Sequence, residues 1–297
     1  MGTKNRNYTK TGTRNALLRD ALRRLEAARV PDWQPSAEWL TCEALGCSRV
    51  ELWAWPEEEV EEAARRRLET MVARRIRREP LQYIVGYAEF MGLRLTVDPN
   101  VLVPRPETEL LVERATQLVA DRPAAAVLDI GTGSGCIALA VKHLCPEASV
   151  TACDISAAAL EIATANGRAH KSDVRFVLAD VHEPAFAGRF EGRFDLIISN
   201  PPYVPDSEIE SIMPEVVNHE PHEALFVSGD PVSFYRSIVR SAPALLAGNG
   251  WLLFEVHPDY ASQINELLSD SGFERTLIRK DLAGRDRIVE GWWRWNR

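Results

Sequence analysis

The chain has 297 residues, of which 45% are apolar and 26% charged, the composition of an ordinary soluble globular protein with one large domain or two modest ones. Its net charge of −8 is divided unevenly, because residues 1–80 carry +3 and residues 81–297 carry −11. The acidic larger part argues against a general grip on nucleic acid, and the absence of any ~20-residue apolar run argues against a membrane span.

Residues 14–80 carry helical patterns. Leucines recur at helical spacing over residues 15–28 and again over 35–46, where a glycine ends the run. Residues 56–79 begin with a proline and acids and end in arginines, an order that complements a helix dipole. A dense basic cluster lies near their end: Arg74, Arg75, Arg77 and Arg78. Such a cluster is typical of a solvated helix face, and contact with an acidic or RNA-bearing partner is the alternative.

The pattern changes at Pro80. Residues 88–104 alternate with a period of two, which predicts a β-hairpin that turns around residues 98–100. A helix then opens over 105–119, with Pro106 and Glu107 in its first turn. These changes divide the chain into a helical domain, a linker with the hairpin, and a third and larger domain. The expected bounds are 1–80, 81–107 and 108–297.

Short apolar strands and helices alternate from residue 125 onward. The strands are predicted over 125–130, 149–154, 174–179, 194–199, 251–256, 275–280 and 286–291. Helices over 136–144 and 156–166 separate the first three strands. This alternation is typical of a parallel sheet with helices on both faces, and the short connection before the last strand predicts an antiparallel hairpin.

The sequence VLDIGTGSGCIALA (127–140) places a glycine loop where a strand turns into a helix. The loop consists of Gly131, Thr132, Gly133, Ser134 and Gly135. Glycines there let the backbone approach a ligand and aim the amides of the following helix at it. The spacing is G-x-G-x-G, and Cys136 stands where the dinucleotide fingerprint has its third glycine. A tight turn without a ligand is the alternative.

Acidic residues end the next two strands. Asp154, followed by Ile155, lies at the distance from Gly131 at which a carboxylate reaches a pair of ribose hydroxyls. Asp180 is placed to accept from an exocyclic amine, with the Val181 amide offered to the same base. These strand ends together predict one adenosine-shaped crevice, although each aspartate alone is compatible with a helix cap.

The stretch SNPPYVP (199–205) follows the fourth strand of this series. Two consecutive prolines cannot pair within a sheet, and the first of them pushes Asn200 towards extended geometry. We therefore expect a stiff loop that fixes an amide side chain and an exposed carbonyl at the end of a buried strand, where α/β proteins usually keep their chemistry.

These segments resemble the class I methyltransferases that use S-adenosyl-L-methionine. LDIGTGSG (128–135) is similar to the first motif of that family, and NPPY (200–203) is similar to its amino-methylating signature. The resemblance implies an α/β fold with a seven-stranded, mostly parallel, doubly wound sheet, Rossmann-like, whose last strand is antiparallel. It also implies a set of residues that contact S-adenosyl-L-methionine: Gly131, Thr132, Gly133, Ser134, Gly135, Asp154, Ile155, Asp180, Val181 and Asn200.

The same resemblance implies that the NPPY loop binds the amine that accepts the methyl group. A planar nitrogen with a delocalised lone pair is a poor nucleophile, and the physical remedy is to position it in line with the methyl group. The Asn200 side-chain oxygen and the Pro201 carbonyl would accept both hydrogens of the NH2 group, while Tyr203 packs against its plane. We expect Asn200, Pro201 and Tyr203 to be catalytic, with Pro202 completing the substrate-binding loop.

Three flanking segments resemble a narrower family, the bacterial and organellar protein-(glutamine-N5) methyltransferases. They are PLQYIVGYAEFMGLRLTVDPNVLVPRPETELLVE (80–113), NHEPHEAL (218–225) and RKDLAGRDRIVEG (279–291). The resemblance implies that the chain methylates the Gly-Gly-Gln glutamine of class I peptide chain release factors and so supports translation termination. Residues 1–80 would then dock the body of the release factor. We expect a cytoplasmic protein that binds neither membrane nor nucleic acid directly.

Some residues and segments keep two interpretations. Arg105 and Glu107 either brace the helix that follows them or wall the cofactor or glutamine pocket. Glu220 is either a surface acid or a support for residues of the pocket. Two segments, 227–235 and 254–260, depart from the family pattern, and the second has FEVHPDY where a Glu-Ile-Gly-type turn followed by glutamine is usual.

Other activities compete with this interpretation. A nucleic-acid amino-methyltransferase would need a basic recognition domain, for which only the cluster at 74–78 is available. An NAD-dependent oxidoreductase is disfavoured by the glycine spacing and by NPPY, and NPPY also argues against a binding module without activity. The five cysteines lack C-x-x-C spacing, which predicts free thiols, and none of the six histidines pairs with an acid at metal spacing, so we expect no metal.

Overall fold

The protein, as described by a computed structural model over residues 10–294, divides into two compact units. The first comprises the chain up to Gly86 together with Met213–His219, and the second comprises Tyr87–Ile212 together with the chain from Glu220 onward. The expected bounds at 80 and 107 differ from this division, because the hairpin belongs to the second unit. A segment just after the NPPY loop also joins the first unit. No helix among the described residues is long and apolar enough to cross a membrane.

The first unit is mainly helical, as the leucine spacing predicts. Its elements up to Gly86 are β1 (Lys10–Thr13), α1 (Arg14–Ala27), α2 (Trp33–Leu45), α3 (Arg49–Ala54), β2 (Glu59–Glu61), α4 (Glu62–Ile76) and α5 (Leu81–Val85). Leu25, Leu40 and Leu68 bring α1, α2 and α4 together in one buried core.

The helix expected over 56–79 begins only at Glu62, so its first part was predicted wrongly. The carbonyls of Pro56 and Glu58 accept hydrogen bonds from the amides of Asn15 and Arg14 at the start of α1. Those carbonyls are therefore not available for helical bonds, and β2 pairs with β1 instead.

The arginine cluster is not a solvated face, because its side chains bind the unit's own groups. Arg75 is 6% exposed and its Nη1 lies 3.2 Å from the carboxylate of Glu215. Arg78 donates to the other oxygen of Glu215 at 2.8 Å, and Arg74 donates to Glu79 at 2.8 Å. Both sequence interpretations of this cluster were thus incomplete, since three of the four arginines hold carboxylates within the first unit.

The second unit contains the seven-stranded sheet. The remaining elements of the chain are β3 (Tyr87–Phe90), β4 (Leu93–Thr96), α6 (Pro106–Val119), β5 (Ala126–Ile130), α7 (Cys136–Leu144), β6 (Ser149–Asp154), α8 (Ala157–Ala169), β7 (Val174–Leu178), β8 (Phe194–Ser199), β9 (Val204–Pro205), α9 (Pro214–His219, in the first unit), β10 (Phe226–Val227), α10 (Ser233–Leu245), β11 (Leu246–Glu255), α11 (Ala261–Asp270), β12 (Glu274–Lys280) and β13 (Asp286–Trp293). The sheet order is β12-β13-β11-β8-β5-β6-β7, and β13 runs antiparallel to both of its neighbours. The α/β fold class with its antiparallel last strand is confirmed.

The sheet places the predicted site residues at one edge. Strands β11, β8, β5, β6 and β7 are parallel, so their carboxyl ends meet there. Alternating residues of β5 and β8 enter two separate buried clusters, for example Leu128 in one and Val127 in the other. Both faces of the sheet are therefore covered, and loops at the strand ends are free to carry chemistry.

The hairpin turns earlier than the sequence indicates. Its strands are β3 and β4, and the turn is at Met91 and Gly92, which have positive φ angles of 48° and 77°. Residues 98–100 form a separate turn in which Asp98 accepts from the Asn100 amide. The Asp-Pro-Asn stretch is thus a turn signal, but it follows the hairpin rather than closing it.

Candidate active site

The glycine loop joins β5 to α7 with all three glycines at positive φ. The φ values are +75° at Gly131, +55° at Gly133 and +82° at Gly135. A side-chain carbon at Gly135 would meet Ala163 of α8 at 3.2 Å, whereas Gly131 and Gly133 face open space. The third glycine therefore permits close packing of the loop on α8, and the first two leave the backbone accessible to a ligand.

Asp129, at the end of β5, is a site residue that the sequence analysis missed. Its Oδ2 accepts from the Thr132 hydroxyl at 2.6 Å and from the Ala138 amide at 3.2 Å. Its Oδ1 is buried and has no hydrogen-bond partner among the described residues. Complete burial raises the pKa of Asp129 to about 7, against the opposing effect of those two donors. An aspartate inside an apolar strand, directly before a glycine loop, was the available signal.

Asp154 ends β6 and is bonded to the glycine loop. Its Oδ2 accepts from the Gly133 amide and its Oδ1 from the Ser156 amide, both at 2.9 Å. Burial raises the pKa of this carboxyl, although the backbone donors favour its charged form. Ile155, the next residue, is 60% exposed beside it. The carboxylate thus shapes the loop while an apolar side chain stays uncovered at the same strand end.

Asp180 follows β7 at the same edge. Its Oδ1 accepts from the His182 amide at 2.8 Å, which fixes the turn, and Val181 is buried. The ends of β6 and β7 are also linked, because the amide of Ala179, the residue before Asp180, donates to the Asp154 carbonyl at 3.0 Å. The three strand ends expected to line one crevice are therefore neighbours in space.

Asn200 follows β8, and the two prolines after it lie outside any strand, as expected. Its side-chain nitrogen donates to the hydroxyl of Thr108 at 3.3 Å. Thr108 lies in the first turn of α6 and is 2% exposed. Because the nitrogen is engaged, the side-chain oxygen of Asn200 remains as an acceptor. Thr108 is a second residue that the sequence analysis missed.

Tyr203 is held by a hydrogen bond to a buried carboxylate. Its hydroxyl donates to Oε1 of Glu255, the last residue of β11, at 3.3 Å. Burial raises the pKa of both Tyr203 and Glu255. The expected packing of Tyr203 against a planar group needs such a fixed ring. Glu255 is a further residue that the sequence analysis missed, and the signal for it was a glutamate at the end of an apolar strand.

The segments that resemble the glutamine-N5 methyltransferases form hydrogen bonds and ion pairs within the second unit. Glu220 accepts from Arg105 at 2.6 Å and from the Val103 amide at 3.1 Å, and its side chain is 1% exposed. Glu220 is therefore a buried support rather than a surface acid. Asp281 accepts from the amides of Ala283 and Arg285, so it organises the turn between β12 and β13.

Glu107, by contrast, lies 3.9 Å from the Arg285 guanidinium, in a half-exposed pair. This pair and the one between Arg105 and Glu220 connect segments that are distant in sequence, so bracing of α6 accounts for both residues.

One group of side chains among the described residues has the arrangement of metal ligands. It consists of Glu208, His257 and Asp259, whose ligand atoms lie within 4.8 Å of one another. The His257 Nε2 is 3.5 Å from the Glu208 carboxylate, so the fold brings together a histidine and an acid that are distant in sequence, and the expected absence of a metal stays a prediction. All five cysteines carry free thiols, as expected.

Comparison with known proteins agrees with this geometry. Residues 16–86 match the model of the PrmC N-terminal domain, and residues 106–230 match the methyltransferase small domain. The release factor glutamine methyltransferase of Geobacter sulfurreducens is 41% identical over 86% of this chain and 87% of its own. The enzyme of the same name from Deinococcus radiodurans is 38% identical over 92% of this chain and 96% of its own.

Two solved structures are also similar to this chain. A release factor-specific protein-(glutamine-N5) methyltransferase from Alicyclobacillus acidocaldarius is 32% identical, covering 68% of this chain and 100% of its own, with a TM-score of 0.42. The 16S rRNA N2 G1207 methyltransferase of T. thermophilus, solved with AdoMet and guanosine, is 19% identical, covers 70% of this chain and 50% of its own, and has a TM-score of 0.51, so it shares the fold alone. The sequence matches show that the chain belongs to the release factor glutamine methyltransferases, a family of class I methyltransferases that depend on S-adenosylmethionine.

Proposed function

We propose that the chain transfers a methyl group from S-adenosylmethionine to the side-chain amide nitrogen (N5) of the glutamine in the Gly-Gly-Gln motif of class I release factors. This modification would support translation termination in the cytoplasm. The observation that carries the proposal is the orientation of Asn200, whose nitrogen donates to Thr108 and whose oxygen is thereby left to accept from a substrate NH2 group. A glutamine amide offers such a group.

The residues at the strand ends fit S-adenosylmethionine. Gly131 and Gly133 leave open space in which the carboxylate of the ligand can approach the loop amides. The unpartnered Oδ1 of Asp129 and the carboxylate of Asp154 offer acceptors to ammonium and hydroxyl groups. Ile155 and Val181 offer apolar and backbone contacts for an adenine ring. When bound, this cofactor supplies a methyl group on a positively charged sulfur.

The NPPY loop would orient the glutamine. The Asn200 oxygen and the Pro201 carbonyl accept its two N–H hydrogens, which turns the nitrogen lone pair towards the cofactor side of the loop. Tyr203, fixed by Glu255, packs on the amide plane. Placement of this kind supplies much of the rate increase for a weak nucleophile, because the entropy of orienting the two reactants is lost on binding rather than in the reaction step.

The first unit would dock the body of the release factor. A Gly-Gly-Gln loop has few side chains to bind, so specificity needs contacts away from the glutamine. Trp53 and Trp55 are 54% and 56% exposed, and Val50 beside them is 77% exposed. Exposed aromatic residues of this kind are typical anchors of protein interfaces. The net charge of +3 over residues 1–80 suits an acidic partner surface.

A nucleic-acid amine is the competing substrate. Arg74, Arg75 and Arg78 are already bonded to carboxylates of the first unit, which supports a protein substrate over an RNA phosphate backbone.

The test offers release factor, DNA and ribosomal RNA in parallel with tritiated S-adenosylmethionine. We expect label in the release factor alone, and none when its Gly-Gly-Gln glutamine is replaced by alanine. Label in nucleic acid, or label that survives the alanine replacement, would overturn the proposal.

A further inference from the structure

We propose that Glu255 is a positioning residue for the methyl transfer, acting on the NPPY loop through the hydroxyl group of Tyr203. No substrate contact is assigned to it. This proposal rests on the proposed function only in taking the glutamine amide as the group that the loop aligns. The effects that it predicts on the loop itself do not depend on the substrate.

The backbone places Glu255 next to Asn200. Strands β8 and β11 are parallel neighbours, and Ser199 stands opposite Phe254 in their register. The next residue on each strand is therefore Asn200 on one side and Glu255 on the other. Both lie at the carboxyl edge of the sheet, where the site residues converge. A longer side chain at 255 thus lies beneath the loop that begins at 200.

The hydroxyl group of Tyr203 connects this carboxylate to the loop. Tyr203 donates to Oε1 at 3.3 Å, which fixes the ring at the end of NPPY. Thr108 is a second neighbour, since it lowers the pKa of Glu255, and its hydroxyl accepts from the Asn200 nitrogen at 3.3 Å. Glu255 therefore holds one end of the NPPY loop directly and lies beside the residue that holds the other.

The backbone of Glu255 is itself held in place. Its carbonyl accepts from the hydroxyl of Tyr235 at 2.9 Å, and Tyr235 is fully buried. Its backbone is also fixed in the sheet, where Glu255 pairs with Ile288 of β13. A carboxylate on such a support has little freedom, so it transmits a fixed position to the groups that it binds.

Burial of this carboxylate would be costly without a role. Glu255 is 1% exposed and its Oε2 has no hydrogen-bond partner within residues 10–294. Its charged neighbours are Arg287, which lowers its pKa, and Glu107, which raises it, while burial is the largest effect and the net shift is upward. An unsatisfied buried acceptor costs about 1–3 kcal/mol. A buried group of this kind beneath a reactive loop calls for an explanation, and a role in positioning the loop supplies one.

The test compares two replacements of this residue with a matched control. Glu255→Leu removes both acceptors at similar size, and Glu255→Gln keeps one. We expect Glu255→Leu to lower the single-turnover rate roughly 10- to 100-fold while the Kd for S-adenosylmethionine and the KM for release factor change less than about twofold. Glu255→Gln should recover most of that rate. Glu290→Gln is the control, since Glu290 is also buried, on β13, and binds Arg114 and Arg279.

Two further readouts separate positioning from stability. Amide hydrogen exchange over residues 203–212 should accelerate in Glu255→Leu, with exchange in β5 and β6 unchanged. The rate losses of Tyr203→Phe and Glu255→Leu should not multiply when combined, because Glu255 acts on the loop through the Tyr203 hydroxyl. Multiplying losses, a wild-type rate in Glu255→Leu, or uniformly faster exchange across the sheet would each overturn the proposal. A wild-type enzyme that leaves release factor unmethylated would overturn the proposed substrate instead, and the exchange result would still decide the role of Glu255.

Discussion

At the scale of single residues, Asp154 holds the glycine loop and is proposed to bind the cofactor as well. Its carboxylate accepts from the amides of Gly133 and Ser156, so it holds the glycine loop before any ligand arrives. Each carboxylate oxygen has a further lone pair, which leaves capacity for ribose hydroxyls. The helix-cap interpretation and the cofactor interpretation of this aspartate are therefore compatible with each other.

Replacement of this residue should act on the cofactor first. We expect Asp154→Ala to weaken the binding of S-adenosylmethionine about tenfold or more, since charge-assisted hydrogen bonds contribute roughly 1.5–3 kcal/mol each. Calorimetry measures this directly. Asp173→Ala, an exposed aspartate before β7, serves as the control and should bind like wild type. Unchanged affinity in Asp154→Ala would leave the residue with the structural task alone.

The pKa of Asp129 predicts a pH effect on stability. Because burial raises this pKa from 3.8 to about 7, the folded protein keeps a proton on Asp129 where the unfolded chain has lost it. The stabilisation is complete below pH 3.8 and is lost as the pH rises to about 7. Asp129→Asn keeps the shape but cannot titrate. Chemical unfolding should therefore show the stability of wild type, relative to Asp129→Asn, falling across this range, and a constant difference would contradict the assignment.

At the scale of elements, α9 depends on an ion pair with α4. The chain leaves the second unit after Ile212, enters the first unit over Met213–His219 and returns at Glu220. Glu215 of α9 is held by Arg75 and Arg78, and its side chain is only 9% exposed. Burial raises the pKa of Glu215, but the Arg78 hydrogen bond and the two positive charges bring it below its ordinary value. This pair ties a segment near the NPPY loop in sequence to the helical unit.

Removing that carboxylate should loosen α9. We expect Glu215→Gln to lower the free energy of unfolding by about 3 kcal/mol, because it leaves two guanidinium groups without their buried partner. Hydrogen exchange over residues 213–219 should rise in the same variant. Glu38→Gln is the control, since its pair with Arg49 is largely exposed on the arginine side and should contribute at most about 1 kcal/mol. Equal effects of the two variants would exclude a special role for Glu215.

The elements also show which parts of the structure the sequence can predict. Most strands of the large sheet and the helix Cys136–Leu144 follow apolar patterns that depend on neighbouring residues, and their predicted bounds are close to the observed ones. An exception is β11, which begins at Leu246 rather than at residue 251. β2, by contrast, is formed by pairing with β1 near the start of the chain, and Glu215 lies far in sequence from the arginines that bind it. Such partners come from tertiary contacts, which local patterns do not contain. Thr108 escaped the sequence analysis for the same reason, whereas Glu255 had a local signal, a glutamate at the end of an apolar strand.

At the scale of the whole molecule, the two units are expected to share the work between docking and chemistry. The sheet carries the residues that fit the cofactor and the NPPY loop, whereas the helical unit carries the exposed tryptophans. Removing residues 1–80 is a poor test of docking, because Arg75 and Arg78 would be lost from Glu215 as well. Surface variants in the full chain avoid this problem.

We expect Trp53→Ala combined with Trp55→Ala to raise the KM for intact release factor at least tenfold. Loss of interface anchors commonly costs 2 kcal/mol or more. Methylation of a short Gly-Gly-Gln peptide should stay the same, since the peptide lacks the docking surface. Leu144→Ala, at the end of α7 and 45% exposed in wild type, is the control. Equal losses on protein and peptide would assign the tryptophans to stability.

The most direct test of the whole account measures one peptide. Wild type and Asn200→Ala are each incubated with release factor and S-adenosylmethionine for a single turnover, and the Gly-Gly-Gln peptide is then mapped by mass spectrometry. The account predicts one added methyl group on the glutamine with wild type, and a rate about 100-fold lower with Asn200→Ala at nearly unchanged cofactor affinity. Asn100→Ala, in an exposed turn, should behave as wild type. Methylation at another residue, or more than about a tenth of the wild-type rate in Asn200→Ala, would contradict it.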